Sequence, residues 1–126
     1  MRIGIAAIGK VKERYIQQAI DDYSRRLSRY CTLDVRAALE EPFTDRDSEA
    51  RRAQLRMIEG RRLLGLVRPG SYVIASDLAG RELTSEELSA LISGLATSGR
   101  SDITFLIGGP TGYSPEVLSR AADRVR

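Results

Sequence analysis

The stretch Asp102-Ile-Thr-Phe-Leu-Ile-Gly-Gly-Pro-Thr-Gly112 decides how this chain is expected to fold. Its apolar run, Ile103 to Ile107, is rich in the residue types that favour a buried strand. The strand stops at Gly108-Gly109, and Ser114-Pro115 then begins a helix as its N-cap and first residue. In open α/β sheets, ligands bind at the carboxyl ends of the strands, where glycines let the backbone approach them closely. The stretch therefore predicts either a ligand-binding loop or a plain glycine turn.

Strand and helix patterns alternate outward from this stretch along the chain. The helical spacing of apolar residues and the capping residues predict four helices, the last beginning after Ser114 and ending the chain. Four strand–helix units in series predict a single α/β domain with a largely parallel sheet and helices on both faces. The predicted strands lie at 3–8, 33–39, 72–75 and 103–107, and the first three helices at 12–30, 48–64 and from Thr84 to Gly99.

Composition excludes several classes of function. The 126 residues contain no histidine and a single cysteine, Cys31, which excludes an internal disulfide, a Cys/His zinc site and a Ser-His or Cys-His nucleophile. No apolar run approaches the roughly 18 residues that a membrane span requires. We therefore expect a cytoplasmic protein with no metal site and no membrane partner.

The basic residues are almost all arginine. Of the 20 Lys and Arg residues only Lys10 and Lys12 are lysines, and the formal net charge is +3. Arginine suits RNA because it forks onto phosphates and stacks on bases, but an Arg bias also follows from a GC-rich genome. The arginines around the second helix form either an RNA-binding face or a solvated face with internal ion pairs. They are Arg46, Arg51, Arg52, Arg56, Arg61, Arg62 and Arg68.

A second segment is expected to share a site with the glycine loop. Ser76-Asp77-Leu78-Ala79-Gly80 follows the strand 72–75, so it too lies at the carboxyl end of a strand. If the strands 72–75 and 103–107 are neighbours, Ser76 and Gly108 face one crevice. The alternative is that Asp77 and Gly80 form an ordinary turn. The loop matches neither the G-x-G-x-x-G dinucleotide fingerprint nor the P-loop, which leaves a site that would hold a nucleoside through main-chain contacts.

These segments together resemble a known family. The segments concerned are the opening strand with Gly9-Lys10, the long first helix with Tyr23, Ser76 to Glu87, and Phe105 to Gly112 with its Ile-Gly-Gly-Pro-x-Gly motif. In this order they resemble the RlmH family of ribosomal RNA methyltransferases, which belongs to the SPOUT, or α/β-knot, superfamily. The resemblance extends over all 126 residues.

The resemblance implies a homodimeric cytoplasmic enzyme that uses S-adenosylmethionine to methylate N3 of a pseudouridine in large-subunit ribosomal RNA of the assembled ribosome. Ser76 and Gly108 correspond to cofactor contacts of the family, and Gly109, Pro110 and Gly112 shape the same loop. Family members usually carry Leu at the position of Ser76, which preserves a backbone contact but weakens an apolar one. The catalytic residues stay unassigned, because Asp77 is the only acid beside the crevice and it is expected to shape its turn.

One departure concerns the end of the chain. Family members continue with a further strand, a Pro-His pair and a final helix, which pass through the knot and complete the cofactor pocket and the dimer interface. The resemblance therefore implies a C-terminally truncated SPOUT-like domain over residues 1–126, with an incomplete knot. Such a chain is expected to bind cofactor weakly or not at all and to have a stronger tendency to aggregate. The alternatives are a non-catalytic RNA- or ribosome-binding remnant of the fold and an unrelated small α/β protein whose glycine loop is only a turn.

Overall fold

The computed structural model describes residues 1–126 as one open sheet covered by helices. The strands are β1 (Arg2–Ile8), β2 (Thr32–Ala38), β3 (Tyr72–Arg81), β4 (Asp102–Ile107) and β5 (Asp123–Val125). The helices are α1 (Arg14–Leu27), α2 (Glu49–Leu64), α3 (Ser85–Thr97) and α4 (Pro115–Arg120). None of the helices combines the length and the apolar composition needed to cross a bilayer.

The sheet is parallel throughout and has the strand order β2-β1-β4-β3-β5. Because crossover connections between parallel strands are right-handed, this order puts α1 and α3 on one face and α2 and α4 on the other. The predicted α/β class, the parallel sheet and the placement of helices on both faces are confirmed. Helices α3 and α4 begin at their predicted capping residues, since Thr84 and Ser114 each accept a hydrogen bond from the backbone N–H three residues later, and Ser48 caps α2 in the same way.

The two faces of the sheet are packed unequally. On the face of α2 and α4, Leu63 and Val117 pack with Ala6, Val73 and Leu106 in a buried core. On the other face neither α1 nor α3 contains a buried residue. The exposed apolar side chains of α1 include Tyr15 at 72% and Tyr23 at 62% of their accessible surface. The amphipathic pattern of α1 was predicted correctly, but the structure covers only part of its apolar side.

The chain ends on a strand rather than on the fourth helix, which corrects the sequence prediction. Helix α4 ends at Arg120, and β5 then pairs in parallel with β3 from Ile74 to Ser76. Strand β3 is also longer than predicted. Its register with β5 shifts between Ser76 and Arg81, so the segment 76–80 forms an irregular extension of the strand. The strand prediction failed here because three polar or charged residues, Asp123 and Arg124 among them, surround the single valine of the 123–126 segment.

Gly80 allows β5 to lie against this extension. A Cβ atom at Gly80 would lie 2.7 Å from the backbone carbon of Arg124 and 2.7 Å from the backbone nitrogen of Val125. Backbone atoms cannot move aside as the tip of a side chain can. The close contact between β3 and β5 therefore requires glycine at this position.

We expect the Gly80→Ala substitution to lower the free energy of unfolding by about 1–3 kcal/mol, because the added methyl group pushes β5 away. Gly94→Ala in α3 is the matched control. A Cβ atom at Gly94 meets nothing within 4 Å, so this substitution is expected to stabilise by about 0.5–1 kcal/mol through helix propensity. Denaturant unfolding of both variants measures the effects. A Gly80→Ala protein as stable as the parent would contradict the packing described.

Candidate active site

The ends of β3 and β4 meet at one edge of the sheet. Ser76 pairs with Ile107 in the parallel register, so Gly108 is the next residue along β4. The structure thus brings Ser76 and Gly108 together as the sequence predicted. Because both lie at the carboxyl ends of their strands, they occupy the edge at which open parallel sheets bind ligands.

An open cleft of about 500 Å³ lies at this edge. Its volume falls within the range of roughly 300–1,000 Å³ that is typical of small-molecule sites. All five residues predicted to contact the cofactor line it. The lining residues are Arg56, Ser76, Asp77, Leu78, Ile107, Gly108, Gly109, Pro110, Thr111, Gly112, Tyr113 and Leu118.

The loop has glycines for two structural reasons, close packing at Gly108 and Gly109 and backbone conformation at Gly112. A Cβ atom on Gly108 would lie 2.9 Å from the ring of Tyr113, and one on Gly109 would lie 3.0 Å from a carboxylate oxygen of Glu59. Gly112 has a φ of 86°, a left-handed conformation that favours glycine. In the sequence, the Gly108-Gly109 pair was explained by the close approach of a ligand. The structure supplies a further reason, the close packing of Tyr113 and Glu59 against the loop.

Tyr113 links the two strand ends. Its hydroxyl lies 2.7 Å from the carbonyl oxygen of Ser76 and 2.9 Å from that of Leu106, so its single proton is shared between two acceptors. Burial raises the pKa of Tyr113 to about 12, and backbone hydrogen bonding at Gly108 and Ser76 offsets only part of this rise. The Tyr113 side chain occupies the space directly between the strand ends and leaves the cleft open beside it. The sequence analysis did not single out this residue.

Two side chains of α2 hold the loop from behind. Glu59 is only 4% exposed, and its carboxylate accepts hydrogen bonds from the backbone N–H of Glu41 at 3.0 Å and from the Thr111 hydroxyl at 3.4 Å. Arg56 donates to the carbonyl oxygen of Thr111 at 3.2 Å and pairs with Glu49. A buried glutamate in the middle of an amphipathic helix is unusual. The position of Glu59 among the apolar residues of α2 could therefore have identified it from the sequence as a residue with a special role.

Asp77 lies in the irregular extension of β3 and not in the ordinary turn that was the alternative expectation. Its carboxylate accepts a hydrogen bond from the backbone N–H of Ala79 at 3.1 Å. The ionisable side chains that line the cleft are Arg56, Asp77 and Tyr113. Arg56 and Tyr113 both hold backbone carbonyl groups, and Asp77 holds a backbone amide. None of the three is assigned as a general base.

The arginines around α2 divide into two groups. Four are engaged within the protein: Arg56 with Glu49, Arg62 with Glu41, Arg68 with Asp102, and Arg52 with the ring of Phe43 and the carbonyl of Asp47. The other three, Arg46, Arg51 and Arg61, form no ion pair within the chain. Internal ion pairs therefore neutralise three of the seven charges, and Arg52 is held by contacts that leave its charge without an acidic partner.

The Tyr113 pKa predicts a pH dependence of stability. Because this pKa is raised from about 10 to about 12 on folding, the folded state keeps a proton that the unfolded state releases. The resulting stabilisation is fully present below about pH 10 and is lost as the pH rises to about 12. The free energy of unfolding should fall more steeply over this interval in the parent than in Tyr113→Phe. Absorbance titration should show one of the five tyrosines ionising near pH 12, and its presence in Tyr113→Phe would refute the assignment.

Comparison with known proteins identifies the fold family. A family model described as a predicted SPOUT methyltransferase matches residues 1–126. Among curated proteins, "Ribosomal RNA large subunit methyltransferase H 1" of Clostridium perfringens strain SM101 is 45% identical over 121 residues. Proteins named "Ribosomal RNA large subunit methyltransferase H" from Clostridium novyi and Clostridium kluyveri are 46% and 43% identical over the same length.

Each of these alignments covers 96% of this chain and 76% of the relative. The family model thus spans all five strands and all four helices, and the relatives are similar along nearly the whole of this chain. The chain belongs to the SPOUT methyltransferase family and, within it, to the RlmH group that its motifs resemble.

Proposed function

We propose that the protein transfers a methyl group from S-adenosylmethionine to N3 of a pseudouridine in large-subunit ribosomal RNA. The observation that supports this most directly is the meeting of Ser76 with the Gly108–Gly112 loop at one open cleft, in a chain of a methyltransferase family. The names of the relatives, which refer to the large ribosomal subunit, support the choice of substrate. Pseudouridine and its N3 atom come from the motif resemblance.

The residues proposed to hold the cofactor are Ser76, Gly108, Gly109, Pro110 and Gly112. They present main-chain atoms and little side-chain bulk to a cleft of about 500 Å³, which leaves room for a nucleoside close to the backbone. When bound, S-adenosylmethionine supplies a methyl group on a positively charged sulfur. The exposed Leu78 side chain adds apolar surface beside Ser76.

The contribution of the protein to such a reaction is mainly alignment. Holding two reactants in line and excluding water contributes up to roughly 7–11 kcal/mol to lowering the barrier. The cleft floor is suited to this because hydrogen bonds from Tyr113 and Arg56 fix the backbone on both sides of the loop. Removal of the N3 proton by a positioned base would add about 10²–10⁴-fold, and this base is not among the assigned residues.

RNA is proposed to bind through the arginines in and before α2 that form no internal ion pair. Arg51 and Arg61 lie on the helix and Arg46 precedes it. Arg56, which is on the same helix, lines the cleft, so the helix extends from the candidate site to these free cations. Phosphates bound along α2 would therefore lead a nucleotide toward the Thr111 side of the cleft.

A homodimer acting on the assembled ribosome in the cytoplasm is the proposed working form. The structural support is the unequal packing of the sheet, since the face with α1 exposes large apolar side chains that include Tyr23 and Leu27. A second structural feature is an apolar groove of about 610 Å³ between α1 and the strands β1 and β2. Surfaces of this kind are typical of contacts between subunits.

A non-catalytic RNA-binding protein is the second candidate. The observation in its favour is that Tyr113 fills the space between the strand ends, which narrows the site available to a cofactor. The two functions differ in a single property, cofactor binding, and the first experiment separates them.

Calorimetry with S-adenosylmethionine up to millimolar concentration should detect binding to the parent chain. Ser76→Trp should weaken this binding at least tenfold, because the exposed Ser76 side chain lines the cleft and an indole would occupy it. Ser93→Trp, at an exposed serine of α3 outside the cleft, is the control for a surface tryptophan. No heat of binding in the parent, or equal affinity in both variants, would contradict the assigned site.

Methyl transfer should be measured on large ribosomal subunits and assembled ribosomes that lack the modification. We expect labelled methyl groups to enter the ribosomal RNA in the presence of the parent protein and not of Ser76→Trp. Mass spectrometry of the digested RNA should then identify 3-methylpseudouridine. Cofactor binding without methyl transfer to either particle would refute the proposed substrate, and a methyl group on another nucleoside would refute the proposed position.

A further inference from the structure

We infer that Glu59 is a positioning residue that sets the conformation of the cofactor loop from the side opposite the cleft. The inference rests on the proposed function, because it concerns the same Gly108–Gly112 loop. It assigns a role to a buried carboxylate that neither the cleft nor the core explains.

The burial of Glu59 is the first argument. The residue is 4% exposed in a helix whose other buried residues are Leu55, Gly60 and Leu63. Burying a carboxylate costs several kcal/mol unless hydrogen bonds compensate it. The apolar neighbours offer no compensation, so its hydrogen-bond partners account for its presence.

Those partners belong to two loops rather than to the core. One carboxylate oxygen accepts the backbone N–H of Glu41 at 3.0 Å, in the connection from β2 to α2. The other lies 3.4 Å from the Thr111 hydroxyl, in the proposed cofactor loop. No other protein hydrogen bond to the Glu59 side chain is present. The carboxylate therefore joins the β2–α2 connection to the loop and serves no partner elsewhere.

The packing of the loop on Glu59 is the second argument. A Cβ atom on Gly109 would lie 3.0 Å from Glu59 Oε1 and 3.1 Å from Cγ2 of Ile8. The Gly109 backbone thus rests on the carboxylate and on the last residue of β1. The next residue of the helix, Gly60, packs closely against the segment after the loop. A Cβ atom at Gly60 would lie 2.5 Å from the Ser114 hydroxyl oxygen. Glu59 therefore supports the loop at Gly109, and Gly60 packs against the segment that follows the loop at Ser114.

The shape of the cleft follows from these contacts. Gly109 and Thr111, which contact Glu59, also line the cleft, whereas Glu59 itself does not. A change in the length or hydrogen bonding of the side chain at position 59 moves that lining without touching a bound molecule. Glu59 is therefore expected to act on cofactor affinity through the loop.

The test compares four single variants by calorimetry with S-adenosylmethionine. Thr111→Val removes the loop's hydroxyl donor and should weaken binding about three- to tenfold, whereas Thr111→Ser, which keeps the donor, should lose less affinity than Thr111→Val. Glu59→Ala should weaken binding at least tenfold. Glu59→Gln should stay within about threefold of the parent, because the amide oxygen still accepts the Glu41 N–H and the amide NH₂ donates to the Thr111 hydroxyl oxygen.

A double variant and a remote control separate positioning from general loss of stability. Glu59→Ala combined with Thr111→Val should bind no more weakly than Glu59→Ala alone, within about twofold, because both changes remove the same contact. Ser71→Ala removes a buried hydroxyl that contacts Asp102 and Thr104 at the opposite edge of the sheet. It should lower the melting temperature and leave the affinity unchanged. Parent affinity in Glu59→Ala, or an equal loss in Ser71→Ala, would overturn the inference while the proposed cofactor site stood.

If the parent binds no cofactor, hydrogen exchange of the backbone amides at 108–113 still tests whether Glu59 positions the loop. The absence of binding would refute the proposed cofactor site. Faster exchange of these amides in Glu59→Ala and in Thr111→Val, and not in Ser71→Ala, would still support the positioning of the loop by Glu59. Exchange at the parent rate in Glu59→Ala would overturn it.

Discussion

The parallel pairing of β3 with β4 is the constraint on which the rest of the structure depends. Val73, Ile74 and Ala75 of β3 and Ile103 and Leu106 of β4 are completely buried. With both faces of these strands covered, a slip in register would move apolar side chains out of their places in the core. The fixed register places Ser76 beside Ile107, and the candidate site forms where the two strands end together.

The sequence predicted the elements and their order well because the apolar periodicity and the capping residues agree along most of the chain. The β5 strand was missed because its three residues, Asp123 to Val125, have no apolar run or alternating pattern of useful length. It forms through pairing with β3 and through the absence of a Cβ atom at Gly80. Both are long-range features that local patterns do not contain.

The location of the candidate site could be predicted from the sequence, but the contacts that hold its loop could not. The crevice between Ser76 and Gly108 followed from the rule that strand ends of a parallel sheet share an edge. The roles of Tyr113 and Glu59 did not, because Glu59 is separated from Thr111 by 52 residues and the Tyr113 hydroxyl from Ser76 by 37. The ion pairs of Arg56, Arg62 and Arg68 likewise depend on which charges the fold brings together. Residue types predicted the place of the site, and only the packing shows how its loop is held.

The two outer strands of the sheet differ in how they meet solvent. Strand β5 is three residues long, so it offers few free backbone groups to another chain. Strand β2 is seven residues long, but its third residue, Asp34, pairs with both Arg2 of β1 and Arg36 of β2 itself. A strand of another molecule that paired with β2 would remove water from Arg2, Asp34 and Arg36. This desolvation cost opposes pairing between sheets of different molecules. Both edge strands, β2 and β5, thus disfavour pairing with a sheet of another molecule, so the protein is expected to associate through its helical surfaces.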